Sequence, residues 1–260
     1  MPNPAKLSPV GEIVRANDPD RYFTALFAPP ARREALFILY AFNHELARAR
    51  EAAREPMAAL IRLQWWREVV EGARFRHEVA GPFGEALDAG WLDPDDLMAM
   101  IDAREAETGS IDTMADFEAY VMGTAGGVMV AAGRALGMVD AESLRLWGAA
   151  YGITGVLRSV SALARQERCV LPRDQLAAFG LSAGAVIAAP TGTALEPVRA
   201  RLLNLAAAWL ATRPALPRHA VAAGLPVVYA RRDWVRGAPM IARPMLDRLS
   251  VSWAALSGRL

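Results

Sequence analysis

Residues 151–172, YGITGVLRSVSALARQERCVLP, decide the fold of this chain. Apolar and small residues recur there at helical intervals, and Leu171-Pro172 ends the stretch in a turn. A second stretch of the same kind, LFILYAFNHELARARE at residues 36–51, belongs to a helix that we predict over residues 31–54. We expect these two long helices to pair and to organise the rest of the chain around them.

The composition indicates an all-α globular protein. Of its 260 residues, 53% are apolar and 22% are charged, and alanine is frequent. A chain of this length can form one large domain. No useful stretch alternates apolar and polar residues as a strand does, and no repeat or linker divides the sequence. We therefore predict a single all-α domain over residues 1–260, with its core at about residues 18–258.

Charge and motif content narrow the function classes. The net charge of +1 lacks the clustered basic excess of a nucleic-acid-binding protein. Cys169 is the single cysteine, so we expect neither a disulfide framework nor a zinc pattern. The first twenty residues lack the apolar core of a secretory signal, and the longest uncharged helical run, residues 119–133, is shorter than the roughly 20 residues of a membrane span. We expect a cytoplasmic protein with at most peripheral membrane contact.

Two landmarks in the long helices, Tyr40-Ala41-Phe42 and Leu171-Pro172, resemble those of the squalene/phytoene synthase family. In that family one D-x-x-x-D pair follows a Y-A-F element, and a second lies in L-R-D-V-x-x-D before Y-L-P. The resemblance covers about residues 18–236. It implies a helical barrel or bundle of the isoprenoid (terpenoid) synthase type, in which two prenyl diphosphates are joined with the help of Mg²⁺.

The acidic positions of both motifs hold one carboxylate instead of four. They are Ala47 and Glu51 in the first helix, and Ser159 and Leu163 in the second. Side chains four residues apart share a helix face, so two carboxylates at this spacing can bind a Mg²⁺ that bridges to phosphate. A methyl, a hydroxyl and an isobutyl group cannot. We therefore predict no magnesium site, no cofactor, and no ordinary head-to-head synthase chemistry.

The resemblance also supplies candidate ligand-binding residues. They are Arg21, Tyr40, His44, Arg48, Glu51, Arg158 and Arg168. The forked donors of arginine match a diphosphate, so arginines can replace a metal ion as the charge clamp. Equally, Arg158 and Arg168 can form ion pairs with Glu51 or Glu167, and His44 can be a hydrogen-bonded core residue rather than a catalytic base. The sequence leaves both interpretations open.

Three further segments carry packing predictions. A helix over residues 114–136 contains four glycines, each costing about 1 kcal/mol in a helix interior. They indicate the close approach of a neighbouring helix or of a flat ligand, and Gly148, Gly152 and Gly155 indicate tight contact along the second long helix. The polar stretch at residues 103–112 is expected to end a helix and form a loop. The last helix is expected to bury four large apolar side chains, Leu246, Leu249, Trp253 and Leu256.

The sequence resembles one branch of the family in particular. A-F-N at residues 41–43, E-L-A at residues 45–47 and LQWW at residues 63–66 resemble the aspartate-poor branch that contains a mitochondrial complex I assembly factor. That resemblance implies a pseudoenzyme whose partner belongs to a respiratory or membrane complex, at the inner face of the inner membrane. Two alternatives remain: a prenyltransferase acting on farnesyl or geranylgeranyl diphosphate, with Mg²⁺ or a rebuilt site, and an isoprenoid or lipid carrier.

Overall fold

The computed structural model describes residues 7–51, 55–239 and 242–260. These residues form helices and no strands, so the predicted all-α class is confirmed. The first α-helices are α1 Pro9–Asn17, α2 Pro19–Ala25, α3 Pro30–Glu51, α4 Pro56–Val70, α5 Ala80–Asp88, α6 Pro94–Arg104, α7 Met114–Val121 and α8 Gly127–Ala135. They are followed by α9 Arg145–Ala164, α10 Arg173–Ala177, α11 Ala183–Ala188, α12 Glu196–Leu210, α13 Val221–Gly224, α14 Pro226–Val235 and α15 Met245–Ser257. None of the helices in the described part of the chain is long and apolar enough to cross a membrane.

Proline and aspartate set the beginnings of several helices. Pro19 and Pro94 lie in the first turn of α2 and α6, where a missing N–H does no harm. Asp18 accepts a hydrogen bond from the Arg21 amide at 3.0 Å, and Asp93 caps α6 in the same manner. The starts of both helices are therefore set by residues next to them in the sequence.

Helix α3 is the central element of the N-terminal half. Residues 35–43 are all buried, as expected of a helix that is surrounded by other helices. The helix packs against α1, α4, α5 and α8, and the Phe42 ring stacks on Phe83 with the ring centroids 4.5 Å apart. The predicted start at residue 31 is one residue late, and residues 52–54 of the predicted helix lie outside the described part of the chain.

Helix α9 packs against an irregular segment that the sequence did not predict. The expected helix over residues 114–136 is divided by a π-helical turn, Met122–Gly126, between α7 and α8. A β-carbon added to Gly148 would lie 2.6 Å from the Ala125 carbonyl oxygen, so only glycine permits this approach. The helix-packing interpretation of the glycines therefore holds for Gly148 and the π-helical turn.

Gly155 is the exception among the glycines of α9. No atom lies within 4 Å of the place its β-carbon would take, so the expectation of tight contact there was wrong. Gly155 lines a cavity instead.

Helix α15 buries a different face from the predicted one. Its buried residues are Asp247, Val251 and Ala254. The side chains expected in the core are between 58% and 77% exposed: Leu246, Leu249, Trp253 and Leu256. The prediction was wrong because apolar residues occur on both faces of this helix, and spacing alone cannot choose between two apolar faces.

Gly148→Ala is expected to destabilise the protein by about 1–3 kcal/mol, because its methyl group would press on the Ala125 carbonyl oxygen and on Met129. Gly155→Ala is the matched control on the same helix. It is expected to stabilise the protein by up to about 1 kcal/mol, since alanine favours the helix and its methyl group meets open space. Urea unfolding measures both variants, and equal midpoints would contradict the packing described for α9.

Candidate functional site

A cavity of about 400 Å³ lies between α3, α9 and the π-helical turn. Helix α3 contributes Asn43, His44, Ala47 and Glu51 to its wall. Helix α9 contributes Tyr151, Gly152, Gly155, Val156, Arg158, Ser159, Ala162 and Leu163. All four residues at the acidic-motif positions therefore face one space, and that space is not filled by large apolar side chains.

The structure brings five of the seven candidate ligand-binding residues to this wall: Arg21, His44, Glu51, Arg158 and Arg168. Tyr40 is buried behind the wall, where its ring lies 5.9 Å from the Arg21 guanidinium carbon and burial raises its pKa. Arg48 is half exposed and forms a 3.2 Å ion pair with Glu45. Tyr40 and Arg48 are thus outside the set of residues that a ligand in the cavity would touch.

One side of the wall is a buried ion cluster centred on Glu107. Its carboxylate accepts hydrogen bonds from Arg168 Nη2 at 2.8 Å, from the Tyr120 hydroxyl at 2.8 Å and from Arg104 Nη1. Arg104 also donates to the Asn43 side chain of α3 at 3.0 Å. The Glu107 side chain is 7% exposed, and both of its oxygens are occupied. Arg168 therefore forms an ion pair, as one interpretation of the sequence held, but with Glu107 as its acid.

The cluster sets the protonation of its members. Burial alone would raise the pKa of Glu107, but the charges of Arg104 and Arg168 and the Tyr120 hydrogen bond outweigh burial and hold that pKa below its usual value. Burial, together with the Glu107 charge, raises the pKa of Tyr120 far above its usual range. At neutral pH the cluster thus contains one carboxylate, two guanidinium ions and a neutral phenol.

A second ion cluster surrounds Arg243, in the segment before α15. Arg243 donates two hydrogen bonds to the Asp233 carboxylate, at 3.0 and 2.8 Å, and a third to Asp20. Arg158 of α9 donates to the same Asp233 carboxylate at 3.1 Å, and the Asp233 side chain is fully buried. The acid that binds Arg158 is therefore Asp233, which the sequence did not suggest.

Arg21 is also paired within the protein. It donates to Asp18 at 2.8 Å, and its guanidinium carbon lies 4.9 Å from the centre of the Tyr151 ring. Burial raises the pKa of the neighbouring Asp20 carboxyl, although Arg243 acts in the opposite direction. Burial lowers the pKa of His44, which favours the neutral imidazole at the wall. Arg21, Arg158 and Arg168 of the cavity wall are thus each paired with a carboxylate of the same chain.

Sequence reasoning missed five residues of these clusters: Arg104, Glu107, Tyr120, Asp233 and Arg243. Glu107 lies in the stretch that was expected to be a polar loop, and there the 3₁₀ turn Glu105–Thr108 directs it inward. The spacing of Arg104 and Glu107 was the available signal, but pairs three residues apart are equally common on exposed helices.

The residues at the motif positions do not fit a magnesium site. Ala47, Ser159 and Leu163 offer no carboxylate, and Mg²⁺ requires hard oxygen ligands. Among the described residues no group of three or more His, Cys, Asp or Glu side chains is arranged to hold a metal ion.

The sequence and the fold place the chain among known proteins. The family model described as squalene/phytoene synthase matches residues 14–249. The chain belongs to this family. A dehydrosqualene synthase solved with a ligand has a TM-score of 0.76 against this structure, covering 96% of this chain and 94% of that one at 14% identity. Squalene synthase HpnC from Alicyclobacillus acidocaldarius has a TM-score of 0.64, covering 96% and 92% at 16% identity. The predicted isoprenoid synthase fold is confirmed.

Curated relatives within the family carry one shared name. The human NADH dehydrogenase (ubiquinone) complex I, assembly factor 6 is 27% identical over 180 residues, covering 66% of this chain and 54% of the relative. The mouse protein gives the same values, and the Drosophila melanogaster homolog is 26% identical over 193 residues, covering 67% and 57%. The resemblance to this branch is thereby confirmed. The chain spans about half the length of the curated relatives it matches.

Glu107→Gln is expected to destabilise the protein by about 3–5 kcal/mol at pH 7, because Arg104 and Arg168 would remain buried without an anion. Glu105→Gln is the matched control in the same turn. Its carboxylate is 46% exposed beside Arg67, so its loss should cost at most about 1 kcal/mol. Urea unfolding of the three proteins gives both values.

The same variant has a pH signature. The folded pKa of Glu107 lies below that of an unfolded glutamate, so its stabilising effect is complete above about pH 4.3 and is lost as pH falls through the folded value. The stability gap between wild type and Glu107→Gln should therefore narrow in acid. A gap that stays constant until both proteins unfold would show that the carboxylate charge does not provide the stabilisation.

Proposed function

We propose that this chain is a non-catalytic member of the squalene/phytoene synthase family that assists the assembly of a respiratory membrane complex. The observation that carries the proposal is the cavity wall at the two motif positions. Ala47, Ser159 and Leu163 stand there with a single acid, Glu51. Only one of these four side chains is a carboxylate, the ligand by which such a site binds its divalent cations.

The chemistry of prenyl transfer supports this proposal. A diphosphate leaves an allylic carbon readily only when its developing charge is neutralised, which a bound metal ion does directly. Arginines can share that task, but Arg21, Arg158 and Arg168 are already bound by Asp18, Asp233 and Glu107. A diphosphate entering the cavity would have to compete with these carboxylates for the guanidinium donors.

The relatives support the assembly role. Human, mouse and fly proteins that match about two thirds of this chain are named as assembly factors of complex I. By that likeness the partner is a subunit or assembly intermediate of an NADH dehydrogenase complex, and the site of action is the inner face of the inner membrane.

Purified protein incubated with farnesyl or geranylgeranyl diphosphate and Mg²⁺ is expected to release no pyrophosphate above a protein-free blank, since the motif positions hold a single acid. A squalene synthase assayed in parallel serves as the positive control. Pyrophosphate release that rises with the concentration of this protein would overturn the non-catalytic part of the proposal.

Deletion of the gene in its native organism is expected to lower the amount of assembled NADH dehydrogenase complex on native gels and to slow NADH-driven respiration. Succinate-driven respiration is the control, because those electrons bypass the complex. Wild-type levels of the assembled complex in the deletion strain would overturn the assembly role.

A second candidate function is the binding of an isoprenoid or other lipid without turnover. The cavity favours it, because about 400 Å³ lies within the range of small-molecule sites and the wall includes Gly155, Val156 and Leu163. An apolar molecule that co-purifies with the protein and is detected by native mass spectrometry would support this candidate over a purely structural cavity.

A further inference from the structure

The outward face of α15 is apolar. Beside the four exposed side chains already described, Met245 is 73% exposed. On a helix with 3.6 residues per turn, these five side chains fall within an arc of about 100°. The buried residues Asp247, Val251 and Ala254 lie on the other side of the helix. A surface helix ordinarily carries polar residues on its outer face, so this arc marks an interaction surface.

The segment that carries this arc is positively charged. Residues 231–260 contain six arginines and two aspartates, in a chain whose net charge is +1. The side chains of both aspartates, Asp233 and Asp247, are fully buried. Arg248 and Arg259 are exposed, and Arg232 is 42% exposed. In the described part of this segment, the charged side chains that reach solvent are therefore arginines.

We propose that the outward face of α15 docks on the surface of an anionic lipid bilayer. An apolar arc of this kind enters the boundary between head groups and acyl chains, while neighbouring arginines reach lipid phosphates. Anionic lipids attract basic segments at about 1 kcal/mol for each cation near the surface. Trp253, which belongs to this arc, is a side chain that favours the membrane interface.

Charge also distinguishes a bilayer from a second copy of the chain. Two copies that met through α15 would bring two basic segments together, and like charges oppose such contact. An anionic bilayer complements the same segment. The proposal goes beyond the assembly role and does not depend on it.

Flotation of the full chain with lipid vesicles tests the proposal. Strong binding is expected to vesicles of phosphatidylcholine mixed with phosphatidylglycerol, and much weaker binding to phosphatidylcholine alone or at high salt. The double variant Leu249→Ser, Trp253→Ser is expected to lower the partition coefficient at least about tenfold, since both side chains would leave water on docking. Its unfolding midpoint should match that of wild type, because both side chains are exposed.

The double variant Met57→Ser, Ile61→Ser on α4 is the matched control. These side chains are 65% and 64% exposed, so an equal apolar loss elsewhere on the surface should leave vesicle binding unchanged. Trp253→Phe should bind as wild type does but lose most of the blue shift of tryptophan emission that accompanies docking.

Three results would overturn the proposal. They are the absence of binding to anionic vesicles, equal losses in the two double variants, and a wild-type dimer in light scattering that Leu249→Ser, Trp253→Ser converts to a monomer. The last result would assign the face to a second copy of the chain. The vesicle assay contains neither a prenyl diphosphate nor a respiratory protein. A negative result would therefore not contradict the proposed function, which the pyrophosphate assay and the gene deletion test separately.

Discussion

The carboxylate of Glu107 joins parts of the chain that are far apart in sequence. It binds Arg104 at the end of α6, Tyr120 in α7 and Arg168 just beyond α9. A buried carboxylate without donors would be strongly destabilising, and two buried arginines without an anion would be as well. Each member of the cluster therefore requires the others. The wall of the cavity is held together by buried ion pairs in addition to apolar packing.

These ion pairs distinguish the cavity of this chain from a site that binds a diphosphate, although the fold is that of the family. A cavity of about 400 Å³ remains between α3 and α9, but its cationic side chains are engaged by acids of the same protein. In a diphosphate-processing site, the anion that satisfies such arginines would be the substrate. Here Glu107 and Asp233 take that place, so Arg168 and Arg158 have ion-pair partners within the chain.

The sequence predicted the all-α class and placed the start of α3 to within one residue, because helical spacing and helix starts are local. Asp18 and Asp93 accept hydrogen bonds from backbone amides two or three residues later in the chain. The proline that follows each aspartate lies in the first turn of the same helix. The clusters were not predictable, since Glu107 and Arg168 meet only after the chain has folded. The π-helical turn was also not predictable from local sequence, because it packs against Gly148, which is a tertiary contact. On α15 the local pattern was misleading, because both of its faces are apolar.

The link between α15 and the cavity has a mechanical consequence. Asp247 of α15 accepts a hydrogen bond from Arg232 at 3.2 Å and lies 3.6 Å from Arg243. Arg243 donates a hydrogen bond to Asp233, and Asp233 accepts another from Arg158 on the cavity wall. A series of ion pairs with alternating charges thus connects α15 with the cavity wall. A partner that shifts α15 would therefore act on residues whose ion pairs continue, without a break, to Arg158 in the cavity lining.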